Sequence, residues 1–101
     1  MATSTKALFR GAATTTTGTT LYTVPASTTT VISNIVVSNT SGSSRTFTMA
    51  FAGTAFATTV TVAANTIATF DIKQVLTATQ TITGGASATD VTFHISGVEI
   101  S

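Results

Sequence analysis

Apolar residues alternate with threonine along much of this chain. Thr46-Phe47-Thr48-Met49-Ala50-Phe51, Thr59-Val60-Thr61-Val62 and Val91-Thr92-Phe93-His94-Ile95 all repeat with a period of two. That period sends one set of side chains into a core and the other toward solvent or a neighbour. Threonine is also stiff at its first side-chain torsion and favours extended backbone. The pattern predicts strands over 20–24, 30–39, 45–51, 56–62, 66–72, 75–82 and 90–100. Pro25 ends the first of them, because proline cannot donate to a ladder. Strand 30–39 is the most hydrophobic. A strict period of two puts Ile32 and Val36 on one face and Val31, Ile35 and Val37 on the other. Such a strand is central in its sheet, or its outer face is covered by another subunit. In 45–51 the residues expected to point inward are Phe47, Met49 and Phe51.

Turn chemistry separates these runs. Asn39-Thr40-Ser41-Gly42-Ser43-Ser44 is the strongest turn, with Ala52-Gly53-Thr54, Ala63-Ala64-Asn65 and Thr83-Gly84-Gly85-Ala86 further along. In the last strand the apolar parity changes at Gly97, from Val91, Phe93 and Ile95 to Val98 and Ile100. A bulge at Gly97 would return both sets to the core. Strands at intervals of about ten residues are the mark of a sandwich or jelly roll. The expected fold is therefore all-β. It is a single antiparallel β-sandwich or jelly-roll-like domain of roughly seven to eight strands. Residues 1–18 lack apolar periodicity apart from Ala7-Leu8-Phe9 and read as an extended N-terminal arm. The arm is either a frayed terminus or a segment that docks a neighbouring subunit through Leu8, Phe9 and Arg10. Residues 19–101 form the sandwich.

Composition narrows the function. The 101 residues suit one domain. Charged residues make up only 7% of the chain, where about 25% is usual. Lys6, Arg10, Arg45 and Lys73 are scattered along the sequence, and net charge is +1, so a basic stripe for nucleic acid is not expected. With no cysteine, neither disulfides nor thiolate metal sites contribute. No apolar run has the length of a membrane helix. Ala7-Leu8-Phe9, interrupted by Arg10, is too short for a signal peptide. Six Phe and one Tyr are few for the two aromatic girdles of a membrane barrel. The chain is expected to be soluble and made in the cytoplasm. A surface solvated mainly by threonine and serine hydroxyls is buried against a partner at lower desolvation cost than a charged one. That favours a component of an assembly.

Candidate chemistry is sparse. His94 is the only histidine, and a zinc site needs three or four ligands. Asp71, Asp90 and Glu99 are the only carboxylates, and a pair of them would have to meet in space to serve as acid and base. Gly-x-Ser-x-Gly and the phosphate-binding glycine motifs are absent. Neither catalytic residues, cofactor nor metal is expected, and the chain is not expected to be an enzyme. Thr-x-Thr pairs such as Thr46/Thr48 and Thr79/Thr81 fall at irregular intervals, unlike the constant coil of a solenoid. They read as the outward face of ordinary strands.

Leu21-Tyr22-Thr23-Val24-Pro25, the turn after it and the hydrophobic strand ending in Asn39-Thr40-Ser41 together resemble small structural proteins of tailed bacteriophages. The closing Val91-Thr92-Phe93-His94-Ile95-Ser96-Gly97-Val98 is also similar to theirs. The likeness spans about 21–101 and leaves out 1–18. It implies a β-sandwich component of the virion, assembled in the host cytoplasm. The first such role is a capsid decoration, or cement, protein bound to the major capsid protein and to its own copies, often as a trimer. A tail, baseplate or fibre component is the alternative within the same class. A carbohydrate- or host-surface-binding sandwich is the alternative outside it. Neither a nucleic acid nor a membrane partner is implied.

Overall fold

The computed structural model describes residues 3–71 and 73–101. Among them are nine strands, with no helix. They are β1 (Thr3–Ala12), β2 (Thr20–Thr23), β3 (Thr29–Asn39), β4 (Arg45–Phe51), β5 (Thr54–Val62), β6 (Thr66–Phe70), β7 (Gln74–Leu76), β8 (Thr81–Ala86) and β9 (Val91–Ile100). They form two antiparallel sheets. One has the order β1-β9-β3-β6, with β7 also paired to β3; the other is β2-β8-β4-β5. The sheets pack face to face as a β-sandwich, as the alternation predicts.

The core lies between the sheets. Ile32, Ile35 and Val37 of β3 and Val91, Phe93 and Ile95 of β9 meet Phe47 and Met49 of β4 and Ile82 of β8, all at most 1% exposed. Five phenylalanines form a connected chain across the gap. Phe93 lies 6.1 Å from Phe47, Phe47 5.9 Å from Phe70, Phe70 5.5 Å from Phe56, and Phe56 5.2 Å from Phe51. Such tilted and offset pairs add to what area burial alone supplies. Arg45–Phe51 is a strand with the expected bounds, and Phe47, Met49 and Phe51 are its buried residues.

Several features depart from strict periodicity. Thr3–Ala12, expected within a free arm, is an edge strand paired with β9 along its length. An extra residue, Leu8, breaks its alternation between the pairs Ala7/Ser96 and Phe9/Ile95. Residues 13–19 then carry the chain to the second sheet. Thr16 O accepts from the hydroxyls of Thr14 (3.0 Å) and Thr19 (2.9 Å), so a low-complexity run makes a closed, hydroxyl-tied turn. Ser33 is the extra residue in β3, between the pairs Ile32/Gly97 and Asn34/Ser96. It moves Ile32 onto the inward face with Ile35 and Val37 and leaves Val31 and Val36 outside, correcting the face assignment above. Gly97 itself stays in phase with Val91, Phe93 and Ile95. The bulges belong to its neighbours, not to β9.

The span 75–82 is two strands. A turn at Thr77–Gln80, with Thr79 at φ 70°, sends the chain from one sheet to the other. Gln80 N donates to Thr77 O (3.1 Å), and Thr77 N donates to Gln80 Oε1 (2.8 Å). Gly84 and Gly85, read as a turn, lie inside β8. A Cβ on Gly85 would collide with the Thr16 carbonyl and stand 3.0 Å from Thr14 O. The turn at 14–19 is therefore seated on bare backbone. Ile72, expected to share a face with Phe70, is outside the described residues.

Candidate interaction surface

Charged side chains in this fold act first as ties between strands. Lys6 of β1 lies 3.4 Å from Glu99 of β9. Glu99 accepts a hydrogen bond from the Tyr22 hydroxyl of β2, which also lies 2.8 Å from Thr30 Oγ1 of β3. This cluster joins the two sheets at one end. Burial, reinforced by the bond to Glu99, pushes the Tyr22 phenol above its ordinary pKa. At the other end Arg45, opening β4, grips Asp90, just before β9, through two bonds of 3.0 and 3.1 Å. Lys73 and Asp71, both exposed, pair at 3.0 Å between β6 and β7. The three carboxylates thus face three different cations and do not meet one another. Asp90 and Glu99 sit at opposite ends of β9, about 30 Å apart along the strand. Among the described residues, His, Asp and Glu side chains nowhere gather as a group of three that could hold a metal ion.

The hydrogen bond from Arg45 holds the Asp90 carboxyl below the usual carboxylate range. A carboxylate whose folded pKa is depressed stabilises the fold above its unfolded pKa, and that contribution disappears as pH falls through the folded value. The melting temperature should therefore decline as pH drops below about 4. Asp90→Asn should show a shallower acid decline and a lower melting temperature at neutral pH. Thermal melts of both proteins across that range check this; coincident pH profiles would contradict it.

The outer faces of the sheets differ. On the four-stranded sheet they carry Thr23, Thr81, Thr83, Thr46 and Thr61, methyl and hydroxyl groups without charge. On the five-stranded sheet Val75, Val31 and Val98 are aligned across β7, β3 and β9. Val75 is 62% exposed and Ile67 of β6, on the same face, 64% exposed. His94 stands on this face between Val36 of β3 and Arg10 of β1. Its Nε2 lies 3.5 Å from Thr92 Oγ1.

The three residues marked for partner binding are placed separately. Leu8 is buried in this chain's own core, Phe9 packs partly against that core, and Arg10 is exposed. Bulging at Leu8 lets adjacent residues 8 and 9 both turn inward. No protein-family model matches the chain, and comparison with curated proteins finds no match.

Proposed function

We propose that this chain is a structural virion protein, most simply a capsid decoration protein that binds the major capsid protein and copies of itself, with a trimer favoured. The supporting observation is the division of labour among its side chains. Its acids are tied to neighbouring cations, its aromatics fill the interior, and its sheets present broad hydroxyl and aliphatic faces. Such faces bind by shape and by desolvation. Symmetric repetition on a shell adds many small contacts through multivalency. Carbohydrate recognition is less well supported, because Tyr22 and the five linked phenylalanines are directed into the fold. Tail, baseplate or fibre attachment uses the same surface physics and differs in location.

Removing residues 1–18 is a poor probe of attachment, since it strips β1 from β9 and uncovers the core beside Leu8. Single charges on the exposed face are cleaner. Val75→Glu and Ile67→Glu should change stability by no more than about 0.5 kcal/mol, being exposed. Both should lower the amount of protein that co-sediments with particles by several-fold if this face is the contact. Unchanged co-sedimentation of the double variant would move the contact to another surface. Failure of the unmodified protein to sediment with any particle would contradict the function itself.

A further inference from the structure

The two halves of β1 are held to very different degrees. Its register with β9 runs in two blocks, Thr3–Ala7 against Ser96–Ile100 and Phe9–Ala12 against Thr92–Ile95, with Leu8 as the extra residue between them. The second block is anchored. Leu8 and Ala13 are buried, Phe9 packs against the core, and Ala13 N donates to Val91 O at 2.7 Å. The first block is not. Every residue from Thr3 to Ala7 is exposed. The covering sheet reaches only as far as Tyr22, whose hydroxyl meets Thr30 of β3 and Glu99 of β9. Ser4 and Lys6 share that inner face, opposite Glu99 and Gly97, but lie beyond the cover. Among the described residues, the block's one side-chain tie is Lys6 to Glu99 at 3.4 Å, with the Lys6 side chain 49% exposed. Exposed pairs contribute little.

The strand that this block leans on is held from its other side. Ser96–Ile100 pairs with β3 between Thr29 and Asn34, and β3 is paired in turn with β7 at Thr30–Ile32. The Tyr22 hydroxyl holds Glu99 independently of Lys6. If Thr3–Ala7 lifts away, β9 therefore stays ordered. It then offers a row of bare N–H and C=O groups, which is a template for another strand. A segment with no buried side chain offsets the entropy of its ordering with little beyond its ladder bonds. It opens more readily than the anchored block.

We propose that Thr3–Ala7 is an exchangeable strand, and that in assemblies of this chain it pairs with Ser96–Ile100 of a second copy. The register specifies the occupant of the opened edge. A neighbour's segment remakes the same ladder and the same Lys6–Glu99 pair that the copy's own segment gave up. Leu8 is the hinge, and five extended residues give the exchange a reach of about 16 Å. Short tethers set an effective concentration on the order of millimolar, so copies crowded to that level compete with the tethered segment. Reciprocal exchange closes a pair and head-to-tail exchange closes a ring; both contain the same contact. The choice of a second copy rests on the self-association proposed above, whereas the separate opening of the first block does not.

Two measurements on the full chain test this. Amide hydrogen exchange reads the opening: the ladder amides of 4–7 should exchange at least about tenfold faster than those of 9–12. Equal protection in the two blocks would overturn the hinge. Disulfide trapping reads the exchange, and the chain has no cysteine of its own to interfere. Thr5→Cys and Val98→Cys, at positions that face each other across the register, are placed in separate chains, one of them isotope-labelled. The two are mixed at about 2 mM, where exchange competes, and oxidised. The interchain disulfide between them should form in several-fold higher yield than in a mixture of Thr5→Cys with Thr92→Cys. Position 92 is on the same face of β9 but about 20 Å further along. Unchanged amide spectra away from the substitutions verify that each variant is folded. Equal yields from the two mixtures would overturn the exchange. Neither measurement involves particles, so failure here is distinct from failure of the protein to sediment with them.

Discussion

Phe47→Ala should lower the unfolding free energy by about 3–5 kcal/mol, the range for deleting a buried phenyl ring. The ring is 1% exposed and touches both Phe70 and Phe93, so it joins β4 of one sheet to β6 and β9 of the other. In a domain whose whole stability is on the order of 5–15 kcal/mol, that loss is a large share. Denaturant unfolding would read it as a lower midpoint with little change in slope. Phe56→Ala is the natural comparison. Phe56, between Phe70 and Phe51 in the aromatic chain, is only half-buried, so its loss should cost less. Equal midpoints for the two variants would show that the sheets are not joined chiefly through Phe47.

The second large effect is polar. Asn39 closes β3 and is 1% exposed. Its Nδ2 faces Ser43 O at 2.9 Å, Val62 O at 3.0 Å and Ala63 O at 3.2 Å. Its Oδ1 accepts from Ser41 N at 3.0 Å and Ser41 Oγ at 2.9 Å. One amide thus ties together the end of β3, the turn into β4 and the turn after β5. Asn39→Leu keeps comparable bulk but leaves those carbonyls without a donor. Each group deprived of its partner costs about 1–3 kcal/mol, and some would turn to water, so a total of about 3 kcal/mol is expected. For a domain of this size, that lowers the melting temperature by roughly 12–24 °C. Asn39→Asp should also be damaging, because it points a carboxylate at three carbonyl oxygens. A Leu variant melting within about 3 °C of the parent would refute this role, since that is under 1 kcal/mol.

The sequence reveals those elements whose local pattern and tertiary environment agree. Arg45–Phe51 has strict alternation, one buried face and turn residues at each end, and its bounds are legible without coordinates. The Asn39–Ser44 turn is equally plain, although the depth of the Asn39 network is not, because two of its acceptors lie more than twenty residues away. What escapes is whatever depends on a neighbour. Ser33 looks like one more outward polar residue until its bulge reverses the faces of β3. Leu76 and Ile82 share parity, so 75–82 reads as one strand, yet the Thr77–Gln80 turn places them in different sheets. Gly84-Gly85 resembles a turn because glycine is common there; here it provides room for the backbone of 14–19. β1 has almost no periodic signature because an edge strand with a bulge needs only one partner.

The same limit applies to the surface. Arg10 was visible as a candidate from its place beside Leu8 and Phe9. Its place on the outer face beside His94, with Val36 beyond, follows from β1 and β3 flanking β9, a topology no spacing rule supplies. The charge economy was visible as composition alone; that its acids tie strands and sheets together follows from the coordinates.

We propose that this sandwich works as a passive, repeated part of a virus shell. The most direct measurement is an electron cryo-microscopy reconstruction of intact particles that carry the protein. If the proposal holds, sandwich-shaped density will stand at symmetry-related positions on the outer surface of the head, in a fixed ratio to the major capsid protein. Density confined to the tail, or particles that lack the protein altogether, would contradict it.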